Sequence, residues 1–155
     1  MARKIATTDR VSLAELQEYL RPRHTAVLLT WRASGGPQMS PVTCGLDASG
    51  RVVVSTYPDR AKAVNLRRDP RASLCVLSGD GDDSWVQVDG AAEVIDLPES
   101  VEPLVEYYRS IAGEHPDWVE YRAAMVSQGK SLIRVTIDAW GPVATGGFPA
   151  RLADG

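Results

Sequence analysis

The sequence has little cysteine, little histidine and almost no phenylalanine: two Cys, two His and one Phe in 155 residues. Two thiols, Cys44 and Cys75, are too few for a disulfide-stapled domain. Both sit in apolar strand-like runs, where free cysteine behaves as a small buried hydrophobe. His24 and His115 have no cysteine or carboxylate at metal-ligand spacing, so no zinc site is expected. No apolar run approaches the roughly 18 residues of a membrane span. Basic excess is missing too: the net charge is −3, so neither a nucleic-acid nor a membrane partner is expected. There is no Gly-x-Ser-x-Gly elbow and no phosphate-loop or dinucleotide glycine fingerprint. The acidic turn Gly79-Asp80-Gly81-Asp82-Asp83 lacks the spacing of a calcium loop and reads as a solvated hairpin tip. Behind the basic pair of Met1-Ala2-Arg3-Lys4-Ile5-Ala6 no apolar stretch follows, so a cytoplasmic location is expected.

What is present is an ordinary globular composition, 44% hydrophobic and 24% charged, enough for one domain with its own core. No linker or repeat divides the chain, so a single domain over 1–155 is expected, with a tail from about 141. Val11 to Leu20 has Leu13, Leu16 and Leu20 on one helical face behind Ser12, a good N-cap, and Pro22 ends it. Thr25 to Trp31 reads as a strand, Ser34-Gly35-Gly36-Pro37 as a turn and Gln38 to Leu46 as a second strand. Pro41 cannot donate to a ladder, so that strand is an edge or carries a bulge there. Asp47 to Gly50 is a hairpin turn and Arg51 to Thr56 the third strand. A short helix follows, with Asp59 as its expected cap and Asp69-Pro70 as its stop. Ala72 to Ser78 and Trp85 to Ile95 are strands. Pro98 is placed in the first turn of a helix carrying Val101, Leu104, Val105, Tyr108 and Ile111. Gly113 ends it, and a second helix carries Trp118, Tyr121 and Met125; His115, before Pro116, reads as a helix-start residue. Leu132 to Ile137 alternates as the last strand. Strands linked by hairpins, with helices inserted late, predict a mostly β, α+β antiparallel barrel rather than a doubly wound parallel sheet.

The chemically informative segment runs from Ser55 to Arg71. Five of the 17 basic residues fall in the twelve positions from Arg60 to Arg71, which makes the region a candidate anion site. Arg60 and Lys62 lie at a helix start, where free N–H groups and the positive end of the dipole already gather. Cations there make sense if they share an anion such as a phosphate with the backbone. The competing reading is a solvated basic helix face, which Arg67 and Arg68 fit better. Ser55 and Thr56 add hydroxyls at the strand end.

The runs Gly36-Pro37-Gln38-Met39-Ser40-Pro41-Val42, Arg60-Ala61-Lys62 and Asn65-Leu66-Arg67-Arg68-Asp69-Pro70-Arg71 resemble the flavin/deazaflavin oxidoreductase superfamily, which includes pyridoxamine 5′-phosphate oxidases. The run Ile111-Ala112-Gly113-Glu114-His115-Pro116-Asp117-Trp118, with Tyr121-Arg122 and Met125-Val126, resembles its F420-binding actinobacterial B group. The resemblance covers about residues 12 to 137. It implies an FMN-binding split-barrel-like fold, six or more antiparallel strands with inserted helices, working as a homodimer with cofactor sites at the subunit interface. It implies a cofactor phosphate near Arg60, Ala61 and Lys62, with Ser55 and Thr56 close by. The cofactor ring would lie along Gln38, Pro41, Val42 and Thr43, with Trp85 reaching it from the partner. The implied cofactor is coenzyme F420, with FMN as the alternative. The implied activity is hydride transfer to a small unsaturated or quinone-like substrate. An FMN-dependent oxidase and a non-catalytic flavin carrier are the rival readings, and the pattern names no proton donor.

Overall fold

The computed structural model describes residues 4–79 and 81–152. The calls on Met1–Arg3, Asp80 and the last three residues lie outside them. Eight strands and four helices follow one another as β1 (Thr7–Asp9), α1 (Leu13–Leu20), β2 (Thr25–Trp31), β3 (Pro37–Leu46), β4 (Val52–Thr56), α2 (Ala61–Arg68), β5 (Arg71–Leu77), β6 (Ser84–Ile95), α3 (Val101–Ala112), α4 (Trp118–Gln128), β7 (Ser131–Trp140) and β8 (Val143–Thr145). All strand pairings in the sheet are antiparallel. The order β6-β5-β2-β3-β4-β7 closes on itself through β6–β7, a six-stranded barrel to which β8 and then β1 attach at β6. This is an α+β split barrel, as expected. Within the segment from 141, expected as a tail, Val143–Thr145 enters the sheet as β8, which pairs with both β1 and β6, and Ala150–Leu152 is a 3-10 turn.

Alternation builds the interior. In β2, Ala26, Leu28 and Thr30 are buried while Thr25, Val27 and Leu29 face outward. β4 is buried on both faces: Val52 and Val54 join the barrel core, while Val53 packs with Leu104, Val105, Tyr121 and Met125 under α3 and α4. That double burial explains its unbroken valine run. α1 adds Leu16 and Leu20 to the barrel core and α2 adds Leu66. α1 begins with a capping box, Ser12 Oγ accepting from Glu15 N at 3.2 Å and Glu15 Oε1 from Ser12 N at 3.0 Å. Pro98 lies in the turn before α3, whose N-cap is Ser100, and not in its first helical turn. His115 does serve the start of α4: its Nδ1 accepts the Asp117 N–H at 2.9 Å, and its ring sits among Tyr108, Trp118 and Tyr121.

β3 and β4 pair only from Cys44↔Val54 to Leu46↔Val52. Beyond that the strands part: residues 37–43 of β3 keep β2 alone, and Ser55 and Thr56 of β4 keep β7 alone. Cys44 N donates to His24 O. By antiparallel alternation, the even residues of this stretch bond β2, while Met39, Pro41 and Thr43 turn their peptide groups into the split. Pro41 therefore stands on an edge, and no ladder bond is lost to its missing N–H.

Cys44 is 3% exposed, and burial pushes its thiol up to about 11. Cys75 is only half-buried, on the outward face of β5, so the expectation of two buried thiols holds for Cys44 alone. Folded single chains treated with a thiol reagent at mildly alkaline pH are expected to lose Cys75 first, with Cys44 modified only on unfolding. Mass spectrometry of the time course checks this; equal labelling rates would contradict it. No helix among the described residues is long and apolar enough to cross a membrane.

Candidate functional site

β4 ends at Thr56 and the chain turns through Tyr57, Pro58 and Asp59 into α2. The N-cap is Arg60, in extended backbone, and no side chain caps the helix; the expected cap at Asp59 is one residue early and makes no such bond. The first N–H groups of α2 are thus left without a capping side chain, at the positive end of the helix. Arg60 and Lys62 stand there. The barrel closure brings a third cation to them: Thr56 pairs with Ser131, so Lys130 lies beside the end of β4. Its Nζ is 4.2 Å from the centre of the Tyr57 ring, and Arg60 Cζ is 5.6 Å from the same centre. Among the described residues none of Arg60, Lys62 and Lys130 has a carboxylate within 4.0 Å. Burial, and after it the Arg60 charge, holds the Lys62 ammonium below its usual range. Thr56 is 3% exposed, and its hydroxyl is buried without a hydrogen-bond partner. A concavity of about 470 Å³ opens beside these groups, lined by Tyr57, Asp59 and Arg60. Three unneutralised cations at an uncapped helix start, next to an orphaned hydroxyl, fit an anionic ligand.

Arg67 and Arg68 are spent elsewhere. Arg67 forms a two-pronged pair with Asp96, which also accepts from Ser131 Oγ at 2.6 Å. Arg68 donates to the Trp31 carbonyl and, at 3.4 Å, to Asn65 Oδ1.

The β3 residues divide by parity. Gln38 and Val42 turn inward: Gln38 Oε1 accepts from Thr30 Oγ1 at 3.0 Å, and Val42 packs on the barrel core. Ser40 Oγ, on the same side, is buried and unpartnered. Pro41 and Thr43 face outward at the split, and Thr43 O accepts from Tyr107 Oη at 3.1 Å. Ser55 and Thr56 likewise separate. Thr56 shares the barrel side of Val52 and Val54, while Ser55 lies on the opposite side, near the Tyr107 hydroxyl of α3. Ala61 is exposed at the first position of α2. Lys130 and Tyr107 were not marked in the sequence, because only the β4–β7 pairing and the packing of α3 bring them in.

The sequence pattern of the pyridoxamine 5′-phosphate oxidase family matches residues 12–144. The chain belongs to this family. Among solved structures, a conserved hypothetical protein of Mycobacterium tuberculosis superposes with a TM-score of 0.73 at 24% identity, covering 90% of this chain and 89% of that one. A protein described as an F420 reductase superposes with a TM-score of 0.61 at 19% identity over 81% of this chain and 94% of that one. A heme binding protein of Mycobacterium smegmatis gives 0.61 at 23% identity, over 84% of this chain but 53% of the other. These likenesses concern the fold.

In this family member Trp85 is not with the other site residues of its own chain. It lies on the outward face, in the row Thr43–Thr25–Leu77–Trp85 across β3, β2, β5 and β6. Three strand spacings put it roughly 14 Å from Thr43. The same face carries Met39, Leu77 and Trp85, exposed at 62%, 38% and 41%, together with Val27 and Leu29. No group of three metal-ligating side chains occurs among the described residues.

Proposed function

We infer that the protein binds coenzyme F420 in the split between β3 and β4 and acts as an oxidoreductase toward a small unsaturated or quinone-like substrate. The observation that carries this is the set Arg60, Lys62 and Lys130, three cations with no carboxylate partner around the start of α2. That is more positive charge than one phosphate needs, and F420 carries carboxylates beyond its phosphate. The cofactor supplies a hydride from its ring. The residues of this chain would do the rest by placement: the cations and the α2 N–H groups hold the phosphate, Thr56 Oγ1 lies alongside, and the free edge of β3 from Gln38 through Pro41 and Val42 to Thr43 borders the ring. Titration of the purified protein with F420 and with FMN, followed by fluorescence, tests the reading. Affinity at least tenfold higher for F420 is expected; tighter FMN binding, or binding of neither, overturns it.

The reading includes a homodimer. An outward sheet face with Met39, Leu77, Trp85, Val27 and Leu29 leaves a broad apolar surface in water, and a second copy laid on it would cover that surface. It would also let Trp85 of one copy approach the split of the other. Light scattering at micromolar concentration is expected to give twice the 16.8 kDa of one chain. The single-chain mass would refute the dimer.

A further inference from the structure

Gln38 does not stand alone. Thr30, fully buried, donates from Oγ1 to Gln38 Oε1 at 3.0 Å and accepts from Asn65 Nδ2 at 3.1 Å. Asn65, on α2 and 7% exposed, turns its Oδ1 to Arg68 Nη2, and Arg68 is anchored on the Trp31 carbonyl. An arginine can only donate. So an acceptor must face it, which sets Oδ1 of Asn65 toward Arg68 and Nδ2 toward Thr30. The Thr30 hydroxyl, having accepted that N–H, has its one proton left for Gln38, whose oxygen must accept it. The direction of every bond follows from the first, and the last group in the chain is the Gln38 N–H2, which has no partner among the described residues.

Resting on the cofactor site inferred above, we propose that Thr30 and Asn65 are positioning residues that hold the Gln38 amide with its N–H2 toward the ligand. The site then selects a ring that presents a hydrogen-bond acceptor to Gln38 and rejects one that presents an N–H there. Arg68, which the sequence pattern leaves on a solvated face, is the origin of the relay. The chain also ties the two halves of the site together, since Asn65 belongs to the helix that gathers the cations and Gln38 to the strand that borders the split.

F420 titrations of the parent, Gln38→Ala, Gln38→Glu, Thr30→Val, Thr30→Ser and the Thr30→Val/Gln38→Ala pair test this, with melting curves for each. A lost neutral hydrogen bond predicts roughly 2- to 12-fold weaker binding for Gln38→Ala and for Thr30→Val. The pair is expected to bind no worse than Gln38→Ala alone, because Thr30 acts through Gln38. Thr30→Ser, which keeps the hydroxyl, is expected to bind like the parent. Gln38→Glu keeps an acceptor for Thr30 but has no N–H2, so it should fold and still bind weakly, which covers the case in which Thr30→Val does not fold. Parent-like affinity of Gln38→Ala and Gln38→Glu overturns the relay while leaving the phosphate site standing. Losses that add in the pair show Thr30 acting on structure alone and overturn it as well. If the parent binds neither F420 nor FMN, both the relay and the cofactor reading fall.

Discussion

Lys62→Ala is expected to weaken the proposed F420 binding by roughly 10- to 150-fold, the range set by a charge-assisted contact of about 1.5–3 kcal/mol. Arg60→Ala is expected to have a similar effect, and Lys130→Ala, whose ammonium lies over the same Tyr57 ring as Arg60, to weaken binding in the same direction. The ligand-free melting temperature of Lys62→Ala holds or rises, because a cation at a helix N-terminus opposes the dipole. The pH dependence has a definite sign. Lys62 is held below its usual range in the free protein by burial and by the Arg60 charge, so its protonated form is disfavoured by folding. That cost is present at neutral pH and disappears as pH rises toward the unfolded value of 10.5. An anion reverses the effect by favouring the charged lysine. Affinity is therefore full below the free-protein pKa of Lys62 and falls as pH rises through the alkaline range, and the part of this decline that Lys62 causes is lost in Lys62→Ala. Arg67→Ala is the control: it breaks the Asp96 pair and touches no part of the site. Equal losses in Arg67→Ala and Lys62→Ala would reduce the cluster to a general field. Parent-like binding of Lys62→Ala would place the anion elsewhere.

The second large effect is on stability. β6 changes register against β7 between Asp89 and Gly90, the irregularity at which the long strand bends across the barrel seam. A Cβ on Gly90 would come within 2.0 Å of Thr136 O and 2.8 Å of Thr136 C, both backbone atoms of β7. Neither can retreat without breaking the ladder that closes the barrel. Gly90→Ala is expected to cost at least about 3 kcal/mol, the upper end for overpacking. For a chain of this length that lowers the melting temperature by roughly 6–12 °C. Gly146→Ala is the comparison, since a Cβ there meets nothing within 4 Å and melts like the parent. A parent-like melting curve for Gly90→Ala would show that the seam can shift.

The elements visible in the sequence are those whose pattern is local. β2, β5 and β7 alternate because one face meets the core, and Ser12 with Glu15 announces α1 within four residues. β1 and β8 carry no such pattern: Thr7-Thr8-Asp9 is fully exposed and becomes a strand only because Val143–Thr145 pairs with it. The same division runs through the site. Arg60 and Lys62 are adjacent in sequence to the helix they serve, and their grouping was legible. Lys130 reaches them only when β7 closes on β4, and nothing near Lys130 in the chain signals it. Gln38 was legible as a strand residue beside an irregular Pro41. Its partners were not, since Thr30 sits in an ordinary apolar run and Asn65 in a helix read for its charges. Trp85 was legible as an aromatic at a strand start, but its position across the sheet from Thr43 depends on strand order.

Parting β3 from β4 has a cost outside the ligand site. Residues 37–43 present a row of backbone groups that no neighbouring strand of the same chain takes up, and such a row invites another molecule to dock its own strand there and begin an aggregate. An added strand would need β3 to donate N–H groups at the odd positions, and the middle one is proline. With Pro41 offering no N–H, an added strand loses a bond at its centre. The Tyr107 hydroxyl already occupies the carbonyl of Thr43 next to it. The opening can thus admit a small molecule while remaining a poor template for chain-to-chain growth.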